Sequence, residues 1–546
     1  MKNLFVFFLL ATLLIFSTNR CARKGSPTGG PKDSIAPVMV TAFPKYKSVH
    51  FKEKRIRLEF DEYVKFKNLF KQLIVSPPLS NALIIKPLSS PSKRITIDIK
   101  DTLKENTTYS FNFGNSIIDN NEGNPLGSFK YVFSTGAFVD SLELHGTLRD
   151  AIQKETENNL SVLLYECNEN YTDSTIYNEK PIYVTNTLDT TSFNITNIKK
   201  GTYKLVALKD FNNNYQYNPK QDKIGFISHP ITIPTDSFFE LNLFKEIPSF
   251  KVFKPLENKM GKIIFGFEGV RDSLLQIVLQ TTTPTDFKSF VSLEENKDTL
   301  NYWYTPFETD SLQFKVTATN IDTLYTVKLR TSKIDSLLIR SVTGTTLHPK
   351  DTFAIQTNIP IDRIDPNQIR IIDKDTLLVP FQTFLDTNKT KLSLYFNPKR
   401  NDKYRIDILP KTMVDFQGET NDTLQFNLKT LDFEDYGMIE MQLKNATEFP
   451  VLIDLLDTKE NLIERQSSNK KTNFIFENVL PGSYFIRVIY DSNHNKKWDT
   501  GNFLKQQQPE KVFQYPIELK IKANWTISEI FDLSLDTSLD EIEVSP

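Results

Sequence analysis

Along almost the whole chain apolar and polar residues alternate in short runs, and each run stops at Asn, Asp, Gly or Pro. A period of two sends successive side chains to opposite faces, so these runs predict half-buried strands separated by turns. Tyr109-x-Phe111-x-Phe113 and Phe129-x-Tyr131-x-Phe133 show the pattern clearly, and Lys262 to Phe267 and Gln313 to Ala318 read the same way. Only the stretch from Phe60 to Ile74 comes near a 3.6-residue apolar period, and one short helix is expected there. The fold class is therefore all-β: tandem β-sandwiches with little helix.

The N-terminus breaks the alternation. Met1-Lys2-Asn3 is followed by an apolar run of 13 residues, Leu4 to Phe16, interrupted only by Thr12. That length fits the core of an export signal, whereas a membrane-spanning helix needs about 20 residues. Cys21 follows, and then a Gly/Pro/Ser-rich stretch to Lys32 that reads as a flexible tether. This layout resembles a bacterial lipoprotein. The resemblance implies a lipid on Cys21 and a folded body held at the outer membrane. Arg20 departs from the small residue that such signals carry before the Cys, which leaves plain secretion as the alternative.

Self-similarity gives the domain plan. Asn106, Tyr109, Phe111, Phe113, Gly123, Phe129, Tyr131, Phe133 and Thr135 each find a counterpart 295 residues on, at Asn401, Tyr404, Ile406, Ile408, Gly418, Leu424, Phe426, Leu428 and Thr430. A second set repeats at 281. Phe193, Asn197, Gly201, Tyr203, Asp210, Asn212, Asn214, Tyr217 and Asn218 match Phe474, Asn478, Gly482, Tyr484, Asp491, Asn493, Asn495, Trp498 and Asp499.

Two modules, A and B, thus occur twice in the same order. The A motifs, from Asp33-Ser34-Ile35-Ala36-Pro37 through Phe60-Asp61-Glu62 to Phe133-Ser134-Thr135-Gly136, resemble the bacterial Ig-like domain of surface-layer and envelope lipoproteins. The B motif, Phe-x-x-x-Asn-x-x-x-Gly-x-Tyr running into an acidic loop, is similar to the prealbumin-like sandwich of carboxypeptidase regulatory domains. These resemblances imply non-catalytic supports. The expected order is signal peptide 1–20, tether 21–32, A module 33–137, B module 138–245, a middle β module 246–338, A module 339–432, B module 433–535 and an acidic tail 536–546.

Composition narrows the function classes. A chain of 546 residues exceeds what one core supports, so roughly three to five domains are expected. Lys+Arg total 66 against Asp+Glu 67, for a net charge of -1, and no global field draws in nucleic acid. With only Cys21 and Cys167, no disulfide framework exists, and Cys167, after the strand-like Leu163-Leu164-Tyr165-Glu166, reads as a structural thiol. The five histidines are scattered singly, and no catalytic motif is present, so no enzyme activity is expected.

The duplicated Asp/Asn loops are the candidate chemistry. Asp210, Asn212, Asn214, Asn218 and Asp222 in the first, and Asp491, Asn493, Asn495 and Asp499 in the second, set oxygen donors at positions 1, 3, 5 and 9 of a calcium-type loop. Positions 6 and 12 hold Tyr215 and Gln221, then Lys496 and Asn502, instead of Gly and Glu, so any calcium affinity would be weak, roughly 0.1 to 1 mM. The alternative is a loop whose Asp and Asn side chains cap their own backbone. The expected role is that of an outer-membrane lipoprotein acting as scaffold or interaction module, with an outer-membrane β-barrel or another envelope protein as partner. The competing role is glycan binding or adhesion, with Tyr302, Trp303, Tyr304 and Trp498 as sugar-stacking rings.

Overall fold

The structure, a computed structural model, describes residues 33–295, 297–330 and 333–534. The expected signal peptide, the tether with Cys21, and the acidic tail lie outside the described residues. Among the described residues there are 41 strands and only two α-helices of one turn each, Leu69–Gln72 and Thr175–Asn178. The helix expected near Phe60 to Ile74 is that first single turn. Most of the stretch before it continues the strand Arg55–Phe66, in which Ile56, Leu58 and Phe60 are buried while Arg55 and Arg57 are exposed.

The chain folds as two compact units. One holds the described residues up to Leu144 with Ile182–Thr185 and Ile195–Lys200; the other holds His145–Pro181, Asn186–Asn194 and Gly201 onward. In the first unit the A module is a sandwich. One sheet runs Met39–Phe43, Arg55–Phe66, Ser92–Asp98, Ile84–Lys86, and the other Ile74–Ser76, Thr108–Gly114, Phe129–Ser134. Ile56, Leu58 and Val64 from the first sheet meet Tyr109, Phe111, Phe113, Tyr131 and Phe133 from the second in one core. Burying each such side chain contributes about 1.5–3 kcal/mol, which is why the alternating aromatic runs dictate which face turns inward.

The second unit contains the remaining modules. In the first B module Gly201–Lys209 pairs with Ser161–Glu166, Lys223–Phe226 and Ile231–Ile233, and Phe238–Leu243 runs parallel to residues 145–150. The second B module repeats this plan: Gly482–Tyr490 pairs with Val451–Leu456, Val512–Gln514 and Leu519–Ile521, and Thr526–Asp532 runs parallel to Gly437–Lys444. The middle module packs Ile263, Phe265, Tyr302 and Tyr304 of one sheet against Leu312, Phe314 and Val316 of another. The second A module has a core of Phe353, Ile355, Leu392, Leu394, Tyr404, Ile406 and Ile408.

The duplication extends to backbone conformation. Positive φ recurs at the repeat offsets, at Asn106 and Asn401, Gly123 and Gly418, Asn197 and Asn478, Asn213 and His494, and Tyr215 and Lys496. Asn and Gly tolerate this region at little cost. For Tyr215 and Lys496 the loop itself imposes it, through the hydrogen bonds described next.

Candidate functional site

Each Asp/Asn loop leaves the central strand of its B module and is wound around its first carboxylate. Asp491 Oδ1 accepts from Asn495 N at 3.0 Å and Oδ2 from Lys496 N at 3.0 Å. Asn493 Oδ1 accepts from Asn495 N and Asn495 Oδ1 from Lys497 N. The amide groups of Asn493 and Asn495 both donate to Asp499 Oδ2, at 2.6 and 2.5 Å. In the first loop Asp210 Oδ2 accepts from Tyr215 N at 2.6 Å, and Asp222 accepts from Phe211 N and Asn218 N. Asn214 and Asn218 accept from Gln216 N and Lys220 N, and Asn212 donates to Gln221.

The loops therefore bring all nine predicted residues together as self-capping turns. A calcium ion takes six to eight oxygens. As folded, the first loop leaves Asp210 Oδ1 buried without a partner, and the second directs two amide N–H groups at its last carboxylate. Among the described residues no group of three or more His, Cys, Asp and Glu side chains is placed to hold a metal.

This buried, unpartnered oxygen separates the two copies. Burial is the largest effect on Asp210 and raises its pKa, against the backbone N–H of Tyr215 and with a further push from Asp222. A raised folded-state pKa stabilises the fold below the carboxylate's unfolded range and loses that contribution as pH rises through the folded value. At neutral pH the Asp210 charge is thus a cost. Asp210→Asn is expected to stabilise by about 1 kcal/mol at pH 7.5, with the gain shrinking as pH falls. Asp491→Asn leaves one N–H without an acceptor and is expected to cost about 1–3 kcal/mol. Thermal melts of both variants with millimolar calcium and with chelator test this: opposite signs and no calcium shift are expected, and a calcium-dependent rise in Tm would overturn the self-capping account.

A second polar centre was not visible in the sequence. Asp454, fully buried in the second B module, binds Arg465 through both oxygens at 2.6 and 2.7 Å and Arg487 at 2.9 Å. Arg465 also donates to Lys496 O of the Asp/Asn loop, and Arg487 to Ile152 O of the first B module. The Asp454 carboxylate raises the Arg465 pKa, chiefly through this hydrogen bond. By strand register Asp454 opposes Arg487 where the first B module pairs Leu163 with Val206. That strand repeats at an offset of 291, so a gapless comparison at 281 passes over the exchange.

Arg487 is one of several residues that join the two B modules. Between Asp499 and Val512 the second copy carries seven more residues than the first, because its next strand lies at an offset of 288. The extra residues form a short hairpin closed by Asn502 and Gln507. Phe503, next to the closing pair, is fully buried with its ring 5.1 Å from Phe226 and 6.4 Å from Tyr177 of the first B module, and its N–H donates to Glu246. Lys204 lies between the Phe226 and Phe503 rings, 5.4 Å from each, and donates to Ser228 O and Gln506 Oε1. Burial lowers its pKa. A Cβ at Gly501 would fall 2.5 Å from the Phe244 ring, so only glycine lets the hairpin approach this closely. On the opposite flank Lys154 sits 4.2 Å over Phe485 and its N–H meets Glu460. A linear row of sandwiches, the arrangement a stalk requires, is therefore not what this unit forms: its last module folds back on its first.

The expected sugar platform is not presented. Tyr302 and Tyr304 are core, Trp303 is 2% exposed with Lys262 4.8 Å over its ring and Nε1 donating to Ser292, and Trp498 is half-buried with Nε1 on Glu510 O. Cys167 is half-buried, and burial raises its thiol pKa, the opposite of an activated nucleophile.

The first A module, with its two sheets closed over a Phe/Tyr core, is the part that comparison identifies. Residues 33–135 match the bacterial Ig-like domain family. No curated protein matches the chain. Among solved structures, the major pilin subunit BcpA of Bacillus cereus aligns at 10% identity over 72% of this chain and 99% of its own, with a TM-score of 0.15. The Bacillus anthracis TIE protein aligns at 10% identity over 93% of this chain and 76% of its own, also with a TM-score of 0.15. Domains 1–6 of the surface-layer protein SbsC align at 10% identity over 90% and 68%, with a TM-score of 0.14. TM-scores this low do not establish a common fold over the chain, so the Ig-like assignment rests on residues 33–135 alone.

Proposed function

We propose that this chain is a non-catalytic interaction module of the cell envelope, anchored at the outer membrane through a lipid on Cys21 and serving as an accessory subunit of an assembly built around an outer-membrane β-barrel. The observation that supports a scaffold best is the packing of one B module on the other. The hairpin carrying Phe503 ties the two ends of the second unit together and holds the middle module and the second A module between fixed ends. A frame with fixed ends presents its surfaces in a constant arrangement, which lowers the ordering cost of binding a partner. The test is purification of the exported full chain from membranes in mild detergent, with metabolic labelling by an alkyne palmitate. Label on the wild type, none on Cys21→Ala, and a co-isolated β-barrel are expected. A solitary unlabelled species would overturn the reading.

A further inference from the structure

We propose that the outer face of the three-stranded sheet in the second A module docks an acidic polypeptide segment. The sheet consists of Ile369–Ile372, Lys403–Ile408 and Leu424–Lys429. Alternation turns Tyr404, Ile406 and Leu428 into the core and leaves Lys403, Arg405, Asn427 and Lys429 outside, with Lys403 directly opposite Lys429 and Arg405 opposite Asn427. With Lys374 these side chains line a cleft of about 540 Å³. Like charges directly opposite one another on a sheet repel and gain nothing for the fold, so their presence needs another account.

The anions nearby neutralise Arg405 but not the three lysines. Asp373, also in the cleft, turns one carboxylate oxygen to the N–H groups of Asp375 and Leu377 and the other towards Lys399 at 3.6 Å. Asp407 pairs with Arg405 at 3.0 Å. Among the described residues Lys374, Lys403 and Lys429 form no ion pair.

The duplicated A module shows what such a face does. At the offset of 295, Lys403, Arg405 and Lys429 correspond to Thr108, Ser110 and Ser134, which are at most 7% exposed. In the first unit this neutral face is covered by polypeptide: Val184 N donates to Ser76 Oγ, Thr108 Oγ1 donates to Asp140, and Asn197 donates to Asp140 O. The same sheet geometry thus accepts a chain segment in one copy. In the other it is open and has exchanged small hydroxyl residues for cations. Charge complementarity makes the occupant acidic, and the covered paralogue makes it a polypeptide. This deepens the interaction-module reading and rests on it.

The test uses the full-length protein and a fluorescein-labelled hexaglutamate peptide, followed by anisotropy at low ionic strength. Lys403→Thr, Arg405→Ser and Lys429→Ser together restore the first copy's residues at exposed positions, and should weaken binding at least tenfold. Removing the same charge elsewhere, with Lys459→Thr, Lys470→Ser and Lys471→Ser, should leave it unchanged. Equal binding by both triple variants would overturn the proposal, as would a heparin fragment of equal charge binding as tightly as the peptide, which would assign the face to an anionic glycan. The first triple variant is also carried through the membrane purification. A partner kept by that variant removes this face but leaves the interaction-module reading intact, whereas selective peptide binding without any co-isolated partner keeps the face and removes the membrane assembly.

Discussion

Asp454→Ala is expected to destabilise the second unit by about 3–5 kcal/mol, because it leaves the buried Arg487 and the half-buried Arg465 guanidinium groups without their shared counter-ion. Asp454 has no exposed side-chain area, and three charge-assisted bonds converge on it. The chain's own duplication supplies the second arm of the test. Asp454→Leu combined with Arg487→Val installs the apolar cross-strand pair that the first B module has at Leu163 and Val206. Replacing a buried ion pair by well-packed apolar residues is often neutral or stabilising, so the double variant should recover most of the lost stability. Arg465, with 22% of its side chain exposed, can turn towards water once its partner is gone. Calorimetric melts of the full chain check both arms. A wild-type melt for the alanine variant would sink the account, and so would a double variant as unstable as the single one.

The second large effect concerns the packing between the B modules. Phe503→Ala removes a ring packed between Phe226, Tyr177 and the Lys204 stem, for an expected cost of about 3–5 kcal/mol. The loss is local to this junction, so the sandwiches should stay folded while the hairpin lifts away. Amide hydrogen exchange is the direct measurement. Protection should fall in residues 500–508 and in the facing segment around Phe226 and Ser228, and stay unchanged in the core strand Val451–Leu456. Gly501→Ala should act in the same direction, since its new Cβ would collide with Phe244 and Gln507 O. Unchanged protection at residues 500–508 in both variants would show that the hairpin does not hold the modules together.

Much of the architecture was legible in the residues. Alternation at Tyr109, Phe111 and Phe113 identifies a strand and its inward face because only one face of a sandwich can be apolar. The offsets of 295 and 281 revealed the duplication because repeated turn residues must occupy repeated backbone conformations, as the positive φ shared by Asn197 and Asn478 shows. The Asp/Asn loops were legible as loops but not as to their partners. Donor spacing alone does not say whether an oxygen faces an ion or the backbone N–H two to five residues on, and here the backbone takes nearly all of them.

The sequence by itself determined the all-β class, the presence of a tandem repeat and, in alternating runs such as Tyr109 to Phe113, the inward face of a strand, since these follow from local periodicity and turn chemistry. Tertiary structure alone decided which surfaces meet. The Asp454 centre joins three strands of one sheet, and the burial of Lys204 under Phe503 and the return of the last module onto the first join residues 302 to 362 positions apart. No local pattern encodes such meetings. They depend on where an unpaired seven-residue insertion happens to reach, and on which sheet face a neighbouring module leaves open.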